Sequence, residues 1–450
     1  MHREHDHDDH PDHDNHTEPG DGHGGWWPRY IAHHGEGHFH YMRNQLIVTD
    51  EELARVERLL EGRVRIEGQR EDQRLGLLLL ELNEHDIQRQ PVPNLVEELH
   101  ADWEREVVPQ AVPNHVFGPC SHLHLNGSSP DPTDWQPGAL PPLEQLGQPG
   151  AGVTVALLDT GFDEDQDNSW FGGRVSGDPE APVTDRFGRL LPNAGHGTFV
   201  AGVVVRHAPG ARVVVKRVFN DDGIVDDWTA ATTLADLADE KEPVHIVNMS
   251  IGAYARRDRG MLACERAIGY AKFRRPELVL IAAAGNERQD RPCFPAADKR
   301  VIGVASVEQL SPERWRRARF SNYGWWVDAC APGVDIHSTF LDYEGPVVPF
   351  HEHDLEEEFD QDDLQDECGA MLPDAGELKQ LTFRRTARWS GTSFSAPLVA
   401  AAIARRAAEE LTVGQTAPTA LAIAVGDVVA EPHRRRLHNL GTLVNPEPYV

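Results

Sequence analysis

The chain has 450 residues, and its 43 basic and 73 acidic residues give a formal net charge of −30. The length predicts one large domain with a smaller one, and the acidic balance excludes nucleic acid as the expected partner because phosphates are bound by clustered Lys and Arg. No apolar run approaches the ~18 residues of a membrane helix and no leader peptide is recognisable, so no membrane contact and a cytoplasmic location are expected. The five cysteines are odd in number and widely spaced, which is typical of reduced thiols.

Residues 1–43 form a tail in which His, Asp and Gly dominate. Such a composition cannot bury an apolar core, so the tail is predicted to be disordered. Its clustered imidazoles suggest a second hypothesis, the binding of zinc or nickel.

Residues 44–117 show the pattern of a small α+β domain. Apolar runs predict strands at 45–48 and 75–82, and amphipathic periodicity predicts helices at 50–61 and about 95–103. An extended segment at 107–117 closes this module. The next stretch, 118–142, is rich in Pro, Gly, Ser and Asp and is typical of a linker.

From 143 to about 410, apolar runs alternate with helical periodicity. Continuous apolar strands at 153–158, 212–218, 245–249, 278–283 and 301–305 are typical of a sheet that is buried on both faces. The alternation predicts an α/β domain with a parallel sheet and helices on both sides. Functional residues are then expected beyond the carboxyl ends of the strands.

Three polar residues of this domain stand in short motifs at element ends. Asp159 opens Asp-Thr-Gly after a buried strand, His196 lies in Gly-His-Gly-Thr before a helix, and Ser393 ends Gly-Thr-Ser at a helix start. Taken singly, the three fit a turn residue, a helix-start histidine and a helix cap. A hydroxyl at a helix N-terminus also lies beside free N–H groups, which favours a nucleophile.

The three segments together, in the order Asp, His, Ser, resemble the subtilisin-like serine proteases, the subtilases or peptidase S8 family. The resemblance implies the three-layer subtilisin-like fold with a mainly parallel sheet, and serine endopeptidase activity without a catalytic cofactor. In that chemistry Ser393 is the nucleophile, His196 the base and Asp159 the residue that orients the imidazole. Asn286, in Ala-Ala-Ala-Gly-Asn, matches the family's oxyanion-hole asparagine.

The resemblance also implies a peptide-binding groove. Ser250, Ile251 and Gly252 match the strand along which a substrate pairs through its backbone. Small residues on one wall of the P1 pocket, at Ala283, Ala284 and Gly285, favour bulky apolar P1 side chains. The Phe294-Pro295 bond matches a turn where a cis peptide is expected.

In the family's terms, residues 44–117 resemble a propeptide, an intramolecular chaperone and inhibitor whose tail lies in the cleft. The chain would then be a zymogen whose substrates are proteins or peptides, with its processing site in the linker. A small docking domain is the alternative.

An acidic insertion at about 344–384 leads into Ser393 and is interpreted as a solvated loop, a mobile lid or a filter for basic substrates. Residues 411–450 are expected to close the domain as a C-terminal extension.

The sequence leaves two further hypotheses undecided. Asp163, Asp165 and Asp167 alternate like calcium ligands, but the glycine and final glutamate of an EF-hand loop are missing, so a solvated acidic turn is the favoured interpretation. The alternative to an enzyme is a catalytically silent peptide-binding module on the same scaffold. The pattern assigns no oligomeric state.

Overall fold

The computed structural model describes residues 30–33, 39–101, 110–119, 129–143, 148–166, 170–181, 183–185, 187–191, 193–220, 224–347, 379–430 and 435–446. No helix in these ranges is long and apolar enough to cross a membrane. Residues 1–29 and 34–38 of the tail predicted to be disordered and to bind metal lie outside them, whereas residues 30–33 and 39–43 of that tail lie in strands.

The strands are β1 (Tyr30–His33), β2 (Phe39–Thr49), β3 (Ile66–Asp72), β4 (Leu77–Leu82), β5 (Ala111–Pro119), β6 (Asp131–Pro132), β7 (Thr154–Asp159), β8 (Val175–Gly177), β9 (Arg212–Arg217), β10 (Val225–Asp226), β11 (Ile246–Met249), β12 (Ile251–Gly252), β13 (Val279–Ala283), β14 (Ile302–Ser311), β15 (Arg314–Arg317), β16 (Ala329–Pro332), β17 (Ile336–Val347), β18 (Lys379–Trp389), β19 (Arg436–Leu437) and β20 (Gly441–Leu443). The helices are α1 (Leu53–Leu60), α2 (Glu84–Arg89), α3 (Val92–Ala101), α4 (Glu164–Gln166), α5 (His196–His207), α6 (Asp227–Asp239), α7 (Leu262–Arg274), α8 (Thr392–Thr412) and α9 (Ala417–Val425).

The central sheet is mainly parallel, which confirms the predicted α/β class. Its order is β19-β20-β16-β14-β13-β11-β7-β9-β8, and only β15 and β19 join it through antiparallel pairs. Alternate residues of β7 face different layers. Val155 and Leu157 belong to the buried cluster that includes α5 and α8, whereas Ala156 and Leu158 belong to the cluster that includes α6 and α7. The strand is therefore continuously apolar because both of its faces are covered.

The module before the linker is built on an antiparallel sheet, with β2 between β4 and β5. The apolar run in β4 is also divided between two faces. Leu78 and Leu80 pack in the module's own core with its helices, while Leu77 and Leu79 share a buried cluster with α6 and α7 of the large domain. The module thus buries one face of its sheet against the large domain. The strand β3 between its two predicted strands was not foreseen.

The last strand of this module enters the large domain. β5 pairs antiparallel with two short strands of that domain. Its residues Val116 and Phe117 lie opposite β10, and its residues Gly118 and Pro119 lie opposite β12. One extended segment therefore joins two short strands of the large domain into the module's sheet.

Two segments near the C-terminus complete the large domain. β17 and β18 form a long antiparallel hairpin whose strands contain both ends of the predicted acidic insertion, while 348–378 lie outside the described residues. Beyond residue 410, α9 packs with α8 in the same buried cluster, and β20 pairs in parallel with β16. The C-terminal segment thus adds a strand to the central sheet.

Candidate active site

Asp159 and His196 meet at the carboxyl edge of the central sheet. Asp159 is the last residue of β7 and His196 the first of α5, and Asp159 Oδ1 lies 2.7 Å from His196 Nδ1. Neither residue is exposed to solvent. Asp159 Oδ1 also accepts the N–H of Thr160 at 2.8 Å, so the carboxylate is fixed by its own turn while it orients the imidazole.

Ser393 stands in the first turn of α8, as the sequence predicted. Its hydroxyl donates to the carbonyl of Ser250 at 3.3 Å, and Ser250 Oγ in turn donates to the carbonyl of Ser393 at 2.9 Å. His196 Nε2 has no hydrogen-bond partner among the described residues. The structure therefore brings the acid–base pair into contact, while the serine hydroxyl points to a carbonyl rather than to the imidazole.

Asn286 is held against the same helix start. Its Oδ1 accepts the N–H of Thr392 at 3.0 Å and the Thr392 hydroxyl at 2.9 Å. Its Nδ2 is shielded from solvent and has no partner within the described parts of the chain. A buried amide donor left without an acceptor costs stability. A donor of this kind is able to bind an oxygen that gains negative charge during a reaction.

An aromatic wall surrounds the imidazole. The rings of Trp389 and Phe394 each lie 5.5 Å from the His196 ring, centroid to centroid, and Trp389 approaches edge-on. Phe199, one turn further along α5, packs against Phe394 at 4.5 Å. This wall keeps water from one side of the pair and restricts the imidazole's rotation.

The predicted peptide-binding strand is paired with the chain itself. Ile251 lies opposite Pro119 and Gly252 opposite Gly118, in the antiparallel register of β12 with β5. Ser250, the residue before β12, is the one whose carbonyl accepts the Ser393 hydroxyl. The tail of the module thus pairs with the strand whose preceding residue, Ser250, contacts Ser393.

The predicted P1 wall is buried, and it rests on a polar network that sequence reasoning missed. Ala283, Ala284 and Gly285 follow one another at the end of β13, and the Ala284 carbonyl accepts Asn322 Nδ2 at 2.9 Å. That nitrogen also lies 3.1 Å from Glu287 Oε2. Burial raises the pKa of Glu287.

The network is completed by the Tyr254 hydroxyl, which donates to Glu287 Oε2 at 2.8 Å. A carboxyl group therefore underlies a wall that the sequence presented as small and apolar. The preference for bulky apolar P1 residues stays a prediction.

The acidic turn after β7 does not gather a metal-ligand set in the described residues. Asp163 Oδ1 accepts the N–H of Asp165 at 3.1 Å, which is an ordinary turn bond, and Asp167 lies outside the described ranges. No group of three or more His, Cys, Asp or Glu suited to a metal ion occurs there. The calcium site stays a prediction. The Phe294-Pro295 peptide is cis, as predicted.

The subtilase family profile matches residues 150–421, which include the described elements from β7 to α8 and the start of α9. The chain belongs to the subtilase family. Among curated proteins, this subtilase is 33% identical over 207 residues to the thermophilic serine proteinase of Bacillus sp. (strain AK1), covering 42% of this chain and 46% of that protein. It is 30% identical over 202 residues to thermitase of Thermoactinomyces vulgaris, covering 42% of this chain and 66% of that protein.

A solved structure, fervidolysin from Fervidobacterium pennivorans, "a keratinolytic enzyme related to subtilisin", shares the fold. Its TM-score is 0.54 at 19% identity, over 90% of this chain and 60% of that one. The chain spans about half the length of the first curated relatives that it matches. The comparisons therefore give the family and the fold, and the chemistry must be argued from the residues.

Several polar groups at this site were not singled out from the sequence. Thr392 fixes Asn286 and also accepts the N–H of Gly285 at 3.1 Å. Thr160 accepts the N–H of Gly197 at 2.9 Å and so ties the turn after Asp159 to the start of α5. Both threonines lie inside the recognised motifs, so their position was a usable signal. Glu180 lies outside every motif, so no signal in the sequence would have singled it out.

Proposed function

We propose that this subtilase is a serine endopeptidase. The observation that carries the proposal is the buried 2.7 Å contact between Asp159 and His196 at a sheet edge that also holds Ser393 at the start of α8. A serine hydroxyl is a weak nucleophile, and an adjacent imidazole held in one tautomer activates it. With Asp159 on Nδ1, the free Nε2 of His196 is the nitrogen available to act as base.

The reaction follows from these positions. Ser393 Oγ attacks the peptide carbonyl carbon as its proton passes to His196 Nε2, and the carbonyl oxygen becomes an oxyanion. Asn286 Nδ2 and the N–H of Ser393 receive that oxyanion. Collapse of the intermediate breaks the C–N bond, and the imidazolium gives its proton to the leaving amine. Water then hydrolyses the acyl ester by the same steps and restores the hydroxyl.

One rotation completes this arrangement. The Ser393 hydroxyl must leave the Ser250 carbonyl, to which it donates at 3.3 Å, and turn to His196. A bond of that length is weak for a hydroxyl donor, so exchanging it costs little. Catalytic hydrogen bonds also commonly tighten only when substrate is bound.

The self-inhibited precursor is part of the same proposal. β5 pairs with β12 as a substrate strand would, and the module that carries it packs on α6 and α7. Backbone pairing at an open strand edge is how extended peptides are recognised. An occupied groove excludes other peptides, so the module is proposed to act as an inhibitor until the linker at 118–142 is cut.

The test uses the full chain. Purified protein is incubated and its mass is followed, and a fluorophosphonate probe is then added. We expect cleavage within 118–142 followed by covalent labelling of Ser393, and neither event in a Ser393→Ala variant. If the chain takes no probe even after the linker has been cut by an added protease and the module removed, the result contradicts the endopeptidase and supports the silent peptide-binding module. Labelling without cleavage leaves the enzyme standing and removes the self-processing precursor.

A further inference from the structure

A second carboxyl group lies beside the acid–base pair, and the proposed chemistry does not use it. Glu180 follows β8, in a segment that runs along the turn after Asp159. The N–H of Glu180 donates to the Phe162 carbonyl at 3.0 Å, and the N–H of Ala181 donates to the Thr160 carbonyl at 2.9 Å. These two hydrogen bonds hold the backbone of this segment in a fixed position beside the residues that follow β7.

The Glu180 carboxyl group joins both elements that hold the pair. Thr198 Oγ1, in the first turn of α5, donates to Glu180 Oε2 at 3.3 Å. The hydroxyl of Thr160, next to Asp159, also acts on this carboxyl group, as does the N–H of Gly195, and both lower its pKa. The Thr160 oxygen accepts the N–H of Gly197 at 2.9 Å. Glu180 is therefore the common acceptor of one hydroxyl beside Asp159 and one near His196.

Close packing makes this tie rigid. A Cβ atom added at Gly161 would lie 2.2 Å from the Pro179 carbonyl oxygen and 2.8 Å from Glu180 Cα. A Cβ atom added at Gly197 would lie 2.0 Å from the Gly161 carbonyl oxygen. The turn, the helix start and the Glu180 segment are thus in backbone contact. The backbone at Glu180 therefore has little room to move relative to the turn after Asp159.

The surroundings of this carboxyl group favour its neutral form. Glu180 Oε1 and Asp159 Oδ2 are both shielded from solvent, and neither has a hydrogen-bond partner in the described ranges. Two carboxylates that each have a shielded oxygen without a partner are costly, and a single proton removes one of the charges. Burial raises the pKa of Glu180 to about 8, and the charge of Asp159 adds to that rise, while Thr160, Thr198 and the Gly195 N–H lower it by less.

The other titratable groups around this carboxyl group do not offset that charge. His196 on α5 is engaged by Asp159 at 2.7 Å. Asp163, in the loop after Asp159, is itself acidic, and burial raises its pKa. Asp178, on the same segment as Glu180, accepts the N–H of Arg217 at 2.8 Å.

We propose that Glu180 is a positioning residue for the reaction, an inference that rests on the endopeptidase function proposed above. Its neutral carboxyl group accepts the Thr160 and Thr198 hydroxyls and holds the end of β7 and the start of α5 at the separation at which Asp159 binds His196. Asp159 is then the one negative charge beside the imidazole.

The experiment compares Glu180→Gln, Glu180→Ala and the wild-type full chain. Each is left to process itself and then assayed on a chromogenic peptide from about pH 5 to about pH 10, with active sites counted by the fluorophosphonate probe. Gln keeps a neutral carbonyl acceptor, so its kcat is expected within about threefold of wild type, with the acid limb of the pH profile unmoved. Ala removes the acceptor, so its kcat is expected to fall at least about tenfold with KM little changed.

A second readout needs no activity. Between the ordinary carboxyl pKa of 4.5 and the raised value of about 8, the folded chain holds a proton that the unfolded chain has released. Stability from this group is therefore full below the lower value and is lost as pH rises through the upper one. The wild-type melting temperature should fall relative to that of Glu180→Gln across this window. Glu164→Gln, which removes an exposed carboxyl group nearby, is the control and should track wild type.

Three results overturn the inference. An acid limb that moves by about one pH unit in Glu180→Gln means that the carboxyl group is ionised and acts on His196 through charge. An unchanged kcat in Glu180→Ala means that it positions nothing. Glu180→Ala can also be made in the Thr198→Val background. If it lowers kcat there by the same factor as in wild type, Glu180 does not act through Thr198. If wild type neither takes the probe nor cleaves peptide, the proposed function itself has failed, which is a different outcome from these three.

Discussion

The proposed catalytic rim, at the carboxyl edge of the central sheet, and the docking surface, where the module packs on α6 and α7, hold their polar groups in different ways. At the rim, Asp159, His196, Ser393 and Asn286 are at most 2% exposed, and each is fixed by one or two hydrogen bonds. At the docking surface, Arg74 reaches Asp236 at 2.7 Å, and the two side chains are 31% and 66% exposed.

The difference teaches where single substitutions matter. A buried polar group has no water to replace a lost partner, so its loss is felt in full. An exposed ion pair exchanges its partner for water at little cost. The rim should therefore respond to single changes by orders of magnitude, and the docking surface by small increments.

Ser393→Ala is expected to show the largest effect. Removing the nucleophile should lower kcat by about a million-fold and stop self-cleavage, because the proposed reaction begins with attack by the Ser393 hydroxyl. The fold should survive, since the hydroxyl makes only the 3.3 Å bond to the Ser250 carbonyl. Intact-mass measurement and peptide assays check both statements. Residual cleavage within about tenfold of wild type would place the nucleophile elsewhere.

Substitutions at Asn286 distinguish the role of its Oδ1 acceptor from that of its Nδ2 donor. Asn286→Asp keeps the Oδ1 acceptor for Thr392 and replaces only the donor, whereas Asn286→Ala removes both. We expect each to lower kcat by about 10²–10³ with KM little changed, because the donor acts on charge that develops in the reaction. Steady-state kinetics on a peptide substrate measures this. Near wild-type kcat in Asn286→Asp would show that Asn286 serves only to hold Thr392.

The docking surface should loosen in acid. His115 on β5 is fully buried, and its Nε2 accepts the N–H of Arg256 at 3.3 Å. Burial, with the nearby charges of Arg256 and Arg291, lowers the pKa of His115 from 6.5 to about 3. Stability from the neutral ring is therefore full above pH 6.5 and is lost as pH falls towards about 3.

Hydrogen exchange of the β5 amides measures this loosening. Protection should fall by up to about tenfold for each pH unit below the ordinary histidine value. His115→Gln should flatten this slope, and His85→Gln, at an exposed position, should not. Equal slopes in wild type and His115→Gln would assign the acid response to other groups.

Arg74→Ala is expected to show the smallest effect. The guanidinium contacts Asp72, Asp236 and Asp239, but the pairs with the large domain are partly exposed. Their loss should cost about 0.2–1 kcal/mol of unfolding free energy, and less at high salt. Urea denaturation at two salt concentrations tests this. A loss of several kcal/mol would mean that the docking surface depends on one contact, as the rim does.

The sequence by itself determined the fold class and the identity of the three motif residues. Both follow from local rules: an apolar run covered on two faces is continuous, and polar residues directly after such runs lie at one sheet edge. Asp159 lies at such an end, whereas His196 and Ser393 lie at helix starts. The convergence of the three was implied by the resemblance of their motifs to the subtilases. The helix start at Ser393 was equally local.

Tertiary structure alone decided the rest. Glu180 reaches Thr160 and Thr198 because the segment after β8 folds back along the turn, and no local pattern encodes that contact. β5 pairs with β10 and β12 across more than 100 residues of sequence, and the direction of the Ser393 hydroxyl depends on the Ser250 carbonyl. Periodicity reports which face of an element is buried, whereas these contacts depend on which distant element covers it.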